Sequence, residues 1–480
     1  MRLRTRFCIF LAAGSLAGCT LGPDYAPPQP PQGAHAPFVS AVSAATTNAP
    51  TPDAWWRLYN DPALDDLIVE AFAANADLKA AEANLSAAYA VVEGARNGFY
   101  PQTTIEAAGV YGRDPVTNEI LEIDHHQPFS QWVFDSLGRV SYEIDLFGRV
   151  RRSVEQAEDS AEAEAATRDA VRVTVAAETA RAYADICVLG EQIDVAERSL
   201  ALVTREQNIT LQRHAAGANS EFDVVRAEEL VAQVRSTIPP LEGQRRAALF
   251  ELAALLGRTP SNAPTKVGTC VTPPRLTALM PVGDGAALLR RRPDVRRADR
   301  VLAASLAQIG IATADLYPRV SLTGFYGGVS DRIETLGTEP ALAWGVGPSI
   351  SWTFPNLAGP LARIQQARAG ARAALAEFDG VVLESLKETE EALATYTAEL
   401  DHHTALLAAQ DRARRAYELA SNSFRAGALS SLDLLTSEQT VVSADEAIAA
   451  SDAAIVQDQI AVFKALGGGW QDSRDCTSHC

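Results

Sequence analysis

The sequence predicts a mainly α-helical fold with transmembrane β-strands, in which a unit of helix, strand, strand, long helix and helix occurs twice. Three observations predict it. Segment 75–101 aligns without a gap with 292–318, which indicates an internal duplication. Apolar and polar residues alternate over 139–147 and 344–354, as they do in strands. Proline is absent from 129 to 238, and good helix formers fill most of that stretch.

The N-terminus has the pattern of an export signal. Three arginines lie among the first six residues, 7–15 form a short apolar region, and Leu16-Ala17-Gly18-Cys19 follows. This end resembles the lipobox of bacterial lipoproteins, which implies that 1–18 are removed and that Cys19 is lipidated. Thr20 in place of Asp then favours the outer membrane. An ordinary secretory signal that ends in small residues is the alternative.

Charge and hydropathy argue against a nucleic-acid-binding protein and against a transmembrane helix. The net charge of −18 and the pI near 4.9 argue against nucleic-acid binding, because a polyanion requires a basic surface. After Cys19 no run of about 18 apolar residues occurs, so a transmembrane helix is not expected. Strands can still enter a bilayer, since their signal per segment is much weaker.

The cysteines do not suggest a structural site. Cys8 leaves with the signal, and Cys187, Cys270, Cys476 and Cys480 are scattered along the chain. This spacing resembles neither a disulfide framework nor a zinc site. The CTSHC ending is interpreted as a frayed tail, with a metal site or a small disulfide loop as the alternatives. The sequence otherwise predicts no metal site and no cofactor apart from the covalent lipid on Cys19.

The composition of the rest of the chain indicates a tether, two repeats, a linker between them and a tail. Residues 19–54 are rich in Pro, Ala, Ser and Thr, which suits a lipidated extended tether, with order beginning at about residue 55. The first repeat is expected at 55–256 and the second at 286–466. Five prolines indicate a linker at 257–285, and 467–480 form a tail.

Each repeat begins with a helical stretch, at 63–98 in the first copy and 285–315 in the second. Tyr-Pro pairs end both stretches, because proline disfavours the helical conformation of the residue before it. Strands are then expected at about 102–112 and 139–147, and at about 319–328 and 344–354. Polar loops, at 113–130 and 329–342, join the strands of each pair.

Each strand is about as long as a bilayer-spanning strand, roughly 9 to 11 residues. A soluble sheet with one wet face shows the same alternation and is the alternative. Four membrane strands cannot close in one chain, and an open edge cannot face lipid. Two chains would give eight strands, and three would give twelve with room for a lumen.

Long helices follow the strands at 150–215 and 361–425, and return helices follow at 220–256 and 431–466. About 65 residues in one helix span roughly 100 Å, which is too long for a compact globule. A plain antiparallel coiled coil is the alternative for this part.

The turns between these helices are related. HAAGANSEFDVV at 214–225 aligns with FRAGALSSLDLL at 424–435, and the matched glycines, serines and aspartates lie 210 residues apart. The glycines suit a helix-ending turn, and the aspartates suit the first turn of the next helix.

These motifs together resemble the TolC-like outer-membrane factors, and specifically the NodT type of efflux lipoprotein. The resemblance rests on LAGC, WWRLYNDPALDDL, the FYP and LYP helix ends, YEIDLFGRVR, RAGALSSLDLL and KALGGGW, in this order within a duplicated chain. It implies a homotrimer with a twelve-stranded β-barrel in the outer membrane and a long periplasmic α-helical barrel. The implied function is the exit duct of a tripartite efflux pump, with a periplasmic adaptor (membrane fusion protein) and an RND-type inner-membrane transporter.

The resemblance also implies site residues. Asp433 matches a constricting aspartate, Leu432 matches a hydrophobic ring, and Thr436 stands where relatives often carry a second aspartate. Three copies of Asp433 near one axis would repel unless water, cations or a raised pKa relieved them. The implied periplasmic gate comprises Leu432, Asp433, Thr436, Phe222, Asp223 and Arg226. The implied adaptor-docking turns comprise Ala216, Gly217, Ser220, Ala426, Gly427 and Ser430.

Other functions have weaker support. An enzyme is not expected, because His402 and His403 are helix neighbours rather than an i, i+4 metal pair, and His125 and His126 fall in a loop. No nucleophile-elbow, phosphate-loop or dinucleotide motif stands in a suitable context. A duct for type I protein secretion and a structural periplasmic coiled-coil lipoprotein remain as alternatives.

Overall fold

The computed structural model describes residues 20–41, 44–113 and 130–470. The N-terminal segment contains β1 (Thr46–Thr47), and the first repeat contains α1 (Pro62–Ala74), α2 (Ala76–Arg96), β2 (Gln102–Gly112), β3 (Gln131–Ile144), α3 (Arg149–Ala215) and α4 (Glu221–Leu255). The linker contains β4 (Met280–Pro281), and the second repeat contains α5 (Gly285–Arg291), α6 (Pro293–Ala314), β5 (Arg319–Ser330), β6 (Leu342–Ser351), α7 (Ala358–Arg425) and α8 (Ser431–Ala465). The order of long elements is the same in both repeats.

The chain folds into two compact units that do not coincide with the repeats. The first comprises residues up to Pro28, Leu85–Glu164 and Ala298–Phe378. The second comprises Gln29–Asn84, Ala165–Arg297 and the residues from Asp379 onward. Each unit therefore takes part of both repeats.

A four-stranded antiparallel sheet lies in the first unit, in the order β2-β3-β5-β6. The middle pair joins the repeats, with Tyr142 opposite Leu322 and Phe134 opposite Ser330. None of the helices within the described parts of the chain is both long and apolar enough to cross a membrane.

Five of the expected strand bounds are wrong, in β3, β5 and β6. Strand β3 ends at Ile144 rather than 147, because the Asp145 carboxylate accepts the Val150 and Arg151 backbone N–H groups at 3.0 Å each and so starts α3. It also begins earlier, at Gln131. Strand β6 ends at Ser351 rather than 354, because Ser351 pairs with Arg319, the first residue of β5. Loop residues 114–129 lie outside the described residues.

The expected second loop, 329–342, is wrong in its bounds and is partly ordered. Strand β5 continues to Ser330, and β6 begins at Leu342. Between them the chain forms two 3₁₀ turns, Ile333–Thr335 and Glu339–Ala341.

The two expected helical stretches before the strands are each split. Asn75 adopts an extended ψ of 134°, and its side-chain oxygen accepts the backbone N–H groups of Asp77 and Leu78 at 2.9 and 3.1 Å, so a new helix begins there. Arg292 has a ψ of 122°, as a residue before proline prefers, and separates α5 from α6. The prediction of one continuous helix per copy is therefore wrong.

The segment expected as a free tether packs from residue 20 onward. In the first unit, Arg152 binds the Asp24 carboxylate at 2.6 Å and the Leu21 carbonyl at 3.2 Å. In the second unit, Phe38 is buried, and β1 pairs in parallel with β4. The segment has little secondary structure of its own, but its backbone groups and few aromatic residues find partners, so order does not begin at residue 55.

A disulfide between Cys187 and Cys270 corrects the expectation from the scattered cysteines. The fold brings the linker against α3, with the Cα atoms 4.7 Å apart although 83 residues separate them. The Arg245 guanidinium of α4 donates to the Cys270 carbonyl at 2.6 Å. Spacing alone does not reveal this pairing, because it depends on where the linker docks.

The core of the second unit is built around Trp55. This side chain is fully buried and stacks on Phe463 of α8, with ring centroids 4.8 Å apart. Trp56 packs edge-on at 5.9 Å. Aliphatic residues of several segments complete the cluster, among them Leu64, Ile68, Ile186, Leu252 and Met280.

Replacing Trp55 with alanine is expected to lower the free energy of unfolding by about 3–5 kcal/mol, because it removes a buried aromatic side chain and leaves a cavity. Denaturant unfolding of the purified protein measures this loss. The variant Trp55→Phe retains a ring against Phe463 and serves as the control, with a smaller loss. A loss below about 1 kcal/mol for Trp55→Ala, the level of an average substitution, would contradict the central place of this ring.

Candidate functional site

Two similar turns, one in each repeat, lie in the second unit. Gly217 and Gly427 have φ values of 77° and 78°, the left-handed conformation that glycine adopts at low cost. After α3, the Ala218 N–H donates to the Arg213 carbonyl at 2.8 Å, and after α7 the Ala428 N–H donates to the Ser423 carbonyl at 2.9 Å. These bonds end both long helices in the same way.

The aspartates help to start the return helices. Ser220 and Asp223 form a capping box, in which each side chain accepts the backbone N–H of the other at 3.3 and 3.0 Å. In the second turn, the Asp433 N–H donates to Ser430 Oγ at 3.2 Å, and that hydroxyl donates to the Asp433 carboxylate at 2.6 Å. Both aspartates therefore stabilise the start of a return helix, and this role requires only one chain.

The other residues of the implied gate and docking turns lie at or beside these turns. Phe222 and Leu432 are 66% and 45% exposed, although both are large and apolar. The Arg226 guanidinium lies 5.7 Å from the centre of the Phe222 ring, and the Thr436 hydroxyl donates to the Leu432 carbonyl at 2.8 Å. The implied docking residues are all exposed, namely Ala216, Gly217, Ser220, Ala426, Gly427 and Ser430.

The two turns lie close together in one chain, through contacts that the sequence did not predict. The Arg213 guanidinium at the end of α3 lies 4.2 Å from the centre of the Phe424 ring and donates to the Phe424 carbonyl at 3.1 Å. The Asn219 side chain donates to Ser431 Oγ at 3.4 Å. A basic residue in the last turn of α3 was visible in the sequence, but its partner on α7 was not.

The sheet of the first unit has an uncovered apolar face. Ile105, Tyr326, Trp344, Val346 and Ile350 are each more than three-fifths exposed in the single chain. Strands β2 and β6 are its edges, and their outer backbone groups pair with no other strand of the sheet. A face and edges of this kind require lipid or further protein to cover them.

In the parts of the chain that the structure describes, no group of three or more His, Cys, Asp or Glu side chains could hold a metal ion. His402 instead lies 3.2 Å from the Glu399 carboxylate, one turn away on α7. The signal segment 1–18, Cys19, His125, His126, Cys476 and Cys480 lie outside the described residues.

Comparison with known sequences matches both repeats. A family profile described as outer membrane efflux protein covers residues 67–258 and 286–468. Nodulation protein T of Rhizobium leguminosarum biovar trifolii is 29% identical over 430 residues, 89% of this chain and 89% of that protein. Probable efflux pump outer membrane protein TtgC of Pseudomonas putida is 28% identical over 467 residues, 95% of this chain and 94% of that protein.

Solved structures agree with these matches. The outer-membrane channel OprN has a TM-score of 0.87 and 34% identity, and the match covers 95% of this chain and all of that one. The open state of the Neisseria gonorrhoeae MtrE outer membrane channel has a TM-score of 0.81 and 25% identity, with 94% of this chain and 99% of that one covered.

Proposed function

Because the chain belongs to the outer membrane efflux protein family, it is an exit duct of an efflux system and not an enzyme, and we propose that three copies form this duct. The observation that carries the proposal is the family match to both repeats, combined with a single-chain sheet that is open at both edges. Three chains supply twelve strands, which close on themselves and leave no edge exposed to lipid. The exposed apolar face of the sheet then meets the membrane.

A lipid on Cys19 is the second part of the proposal. The Leu21 N–H donates to the Phe147 carbonyl at 3.3 Å, just after strand β3. The residue before it, Thr20, lies against Gly148, where a Cβ would come within 2.8 Å of the Thr20 Cα. These contacts hold the neighbour of Cys19 beside the end of a membrane strand, where an acyl chain can enter the same bilayer.

The proposed gate is the periplasmic mouth of the trimer, to which each chain contributes two unlike turns. Leu432, Asp433 and Thr436 come from the second repeat. Phe222, Asp223 and Arg226 come from the first. Exposed Leu432 and Phe222 support this role, because large apolar side chains at an exposed turn gain from contact with neighbouring chains. The gate residues of the first repeat are bulkier and include the cation Arg226, so the two halves of the gate differ.

The proposed partners are a periplasmic adaptor and an RND-type inner-membrane transporter. The exposed turn residues support docking of the adaptor there, since Ala216 and Ala426 have small side chains that permit close approach. Small-molecule efflux is favoured over protein secretion, because relatives of nearly full length include a protein named as an efflux pump component.

Photo-crosslinking tests the docking. A crosslinking amino acid placed at Ala216 or Ala426, in cells that also produce the adaptor, is expected to capture the adaptor. The same amino acid at Ser261, an exposed residue of the linker, is the matched control and should capture none. Equal capture at Ser261, or none at either turn in a trimer of normal abundance, would contradict docking at the turns.

A further inference from the structure

An acidic side chain is buried below the two turns without a partner. Glu438 of α8 is fully buried, and neither carboxyl oxygen has a hydrogen-bond partner among the described residues. It lies on the same helix face as Leu435 and Val442. These two residues pack in an apolar cluster with Val203 of α3 and with Ala227, Leu230, Val231 and Val234 of α4.

The groups around Glu438 do not neutralise a negative charge. Glu206 of α3, also buried, repels it. Tyr417 of α7 donates its hydroxyl to Glu206 at 3.2 Å rather than to Glu438. Arg425, near the end of α7, acts on Tyr417, and the packed face of α4 is apolar.

An unpaired carboxylate in apolar surroundings is costly, so such a group holds its proton instead. Burial, and secondarily the charge of Glu206, raise the pKa of Glu438 to about 8. The equivalent residue of the first repeat, 210 positions earlier, is Glu228, and it is exposed on α4. The buried acid therefore belongs to the second hairpin alone.

We propose that Glu438 is a proton-binding site that latches the tip, meaning the turns and the helix ends beside them. With its proton, Glu438 packs between Leu435 and Val442 and holds the start of α8 against α3 and α4. Without the proton, the carboxylate gains hydration only if these helices separate, which loosens the tip. The functional consequence rests on the proposed gate, whereas the latch itself does not.

The sign of the pH dependence follows from linkage. In the packed tip, Glu438 keeps its proton up to about pH 8. In a loosened, hydrated tip, the same side chain loses its proton near the ordinary glutamate pKa of 4.5. The latch is therefore at full strength below about pH 4.5 and weakens as the pH rises towards 8. One linked proton changes the equilibrium by at most about tenfold per pH unit in this window.

Hydrogen exchange of the purified full-length protein from pH 5 to 8.5 tests the latch. After correction for intrinsic exchange rates, protection at the start of α8 is expected to fall by up to about tenfold per pH unit below pH 8. Glu438→Gln keeps the size but cannot ionise, so its protection should not vary with pH. Glu228→Gln, the matched control from the first repeat, should behave as the unmodified protein does.

Protection that does not change with pH in the unmodified protein, or an unchanged pH response in Glu438→Gln, would overturn the proposal. If Glu438→Gln does not fold, Glu206→Gln provides a second test. Removing the charge of Glu206 lowers the pKa of Glu438, so less protection should be lost between pH 5 and 8.5 than in the unmodified protein. Single-channel conductance at pH 5.5 and 8.5 then distinguishes a latch that only holds the tip together from one that also controls opening of the duct. A pH-dependent tip with pH-independent conductance would retain the latch and reject the gate.

Discussion

Replacing Cys187 and Cys270 together with alanine is expected to lower the free energy of unfolding by about 4–5 kcal/mol. The disulfide joins residues 83 positions apart, and closing a loop of that length in the unfolded chain corresponds to a loss of this size in the chain-entropy account. The closed loop contains the end of α3, the whole of α4 and the first turn. The position that corresponds to Cys187 in the second repeat is Thr397, so only the first hairpin is held in this way.

Denaturant unfolding with and without a thiol reductant measures the effect. The reduced unmodified protein should unfold like the double variant, whereas the double variant should not respond to reductant. A loss below about 1 kcal/mol would show that packing of the linker on α3 already holds the hairpin. Formation of the bond fits an exported protein, because oxidising compartments preserve disulfides.

The long elements of the fold could be predicted because their signals are local. Absence of proline and a high content of helix formers placed the long helices at 150–215 and 361–425, and the structure has Arg149–Ala215 and Ala358–Arg425. The alternating pattern placed most strand ends within three residues, although β3 begins eight residues before the expected 139. Their ends were missed where a side chain decided them, as with Asp145 at the end of β3.

Features that depend on distant contacts could not be predicted. The break at Asn75 combines a local cap of α2 with a distant contact, because the Asn75 amide also donates to the Leu255 carbonyl at 3.2 Å. The Cys187–Cys270 pair and the packed N-terminal segment depend on where irregular chain docks on a helix.

The candidate site also combines features that local sequence preferences predict with features that depend on distant contacts. Gly427, Ser430 and Asp433 indicated the turn because their conformational and capping preferences are local. The contact of Arg213 with Phe424, and the burial of Glu438, depend on the register between helices. Sequence periodicity does not determine that register.

Single-channel conductance of the purified trimer tests most directly the claim that these turns close the duct. The combined change Leu432→Ala and Asp433→Asn is expected to raise the conductance several-fold. It removes an apolar side chain and a charge from the proposed constriction, while asparagine can still accept the Ser430 hydroxyl bond that aspartate accepts now. Alanine at 433 would lose that bond together with the charge.

Leu279→Ala is the matched control, because Leu279 is similarly exposed but lies in the linker. Its conductance should equal that of the unmodified channel. The account predicts a large rise for the turn variant and none for the linker variant. An unchanged conductance in a turn variant that assembles and inserts normally would contradict it and place the constriction elsewhere in the duct.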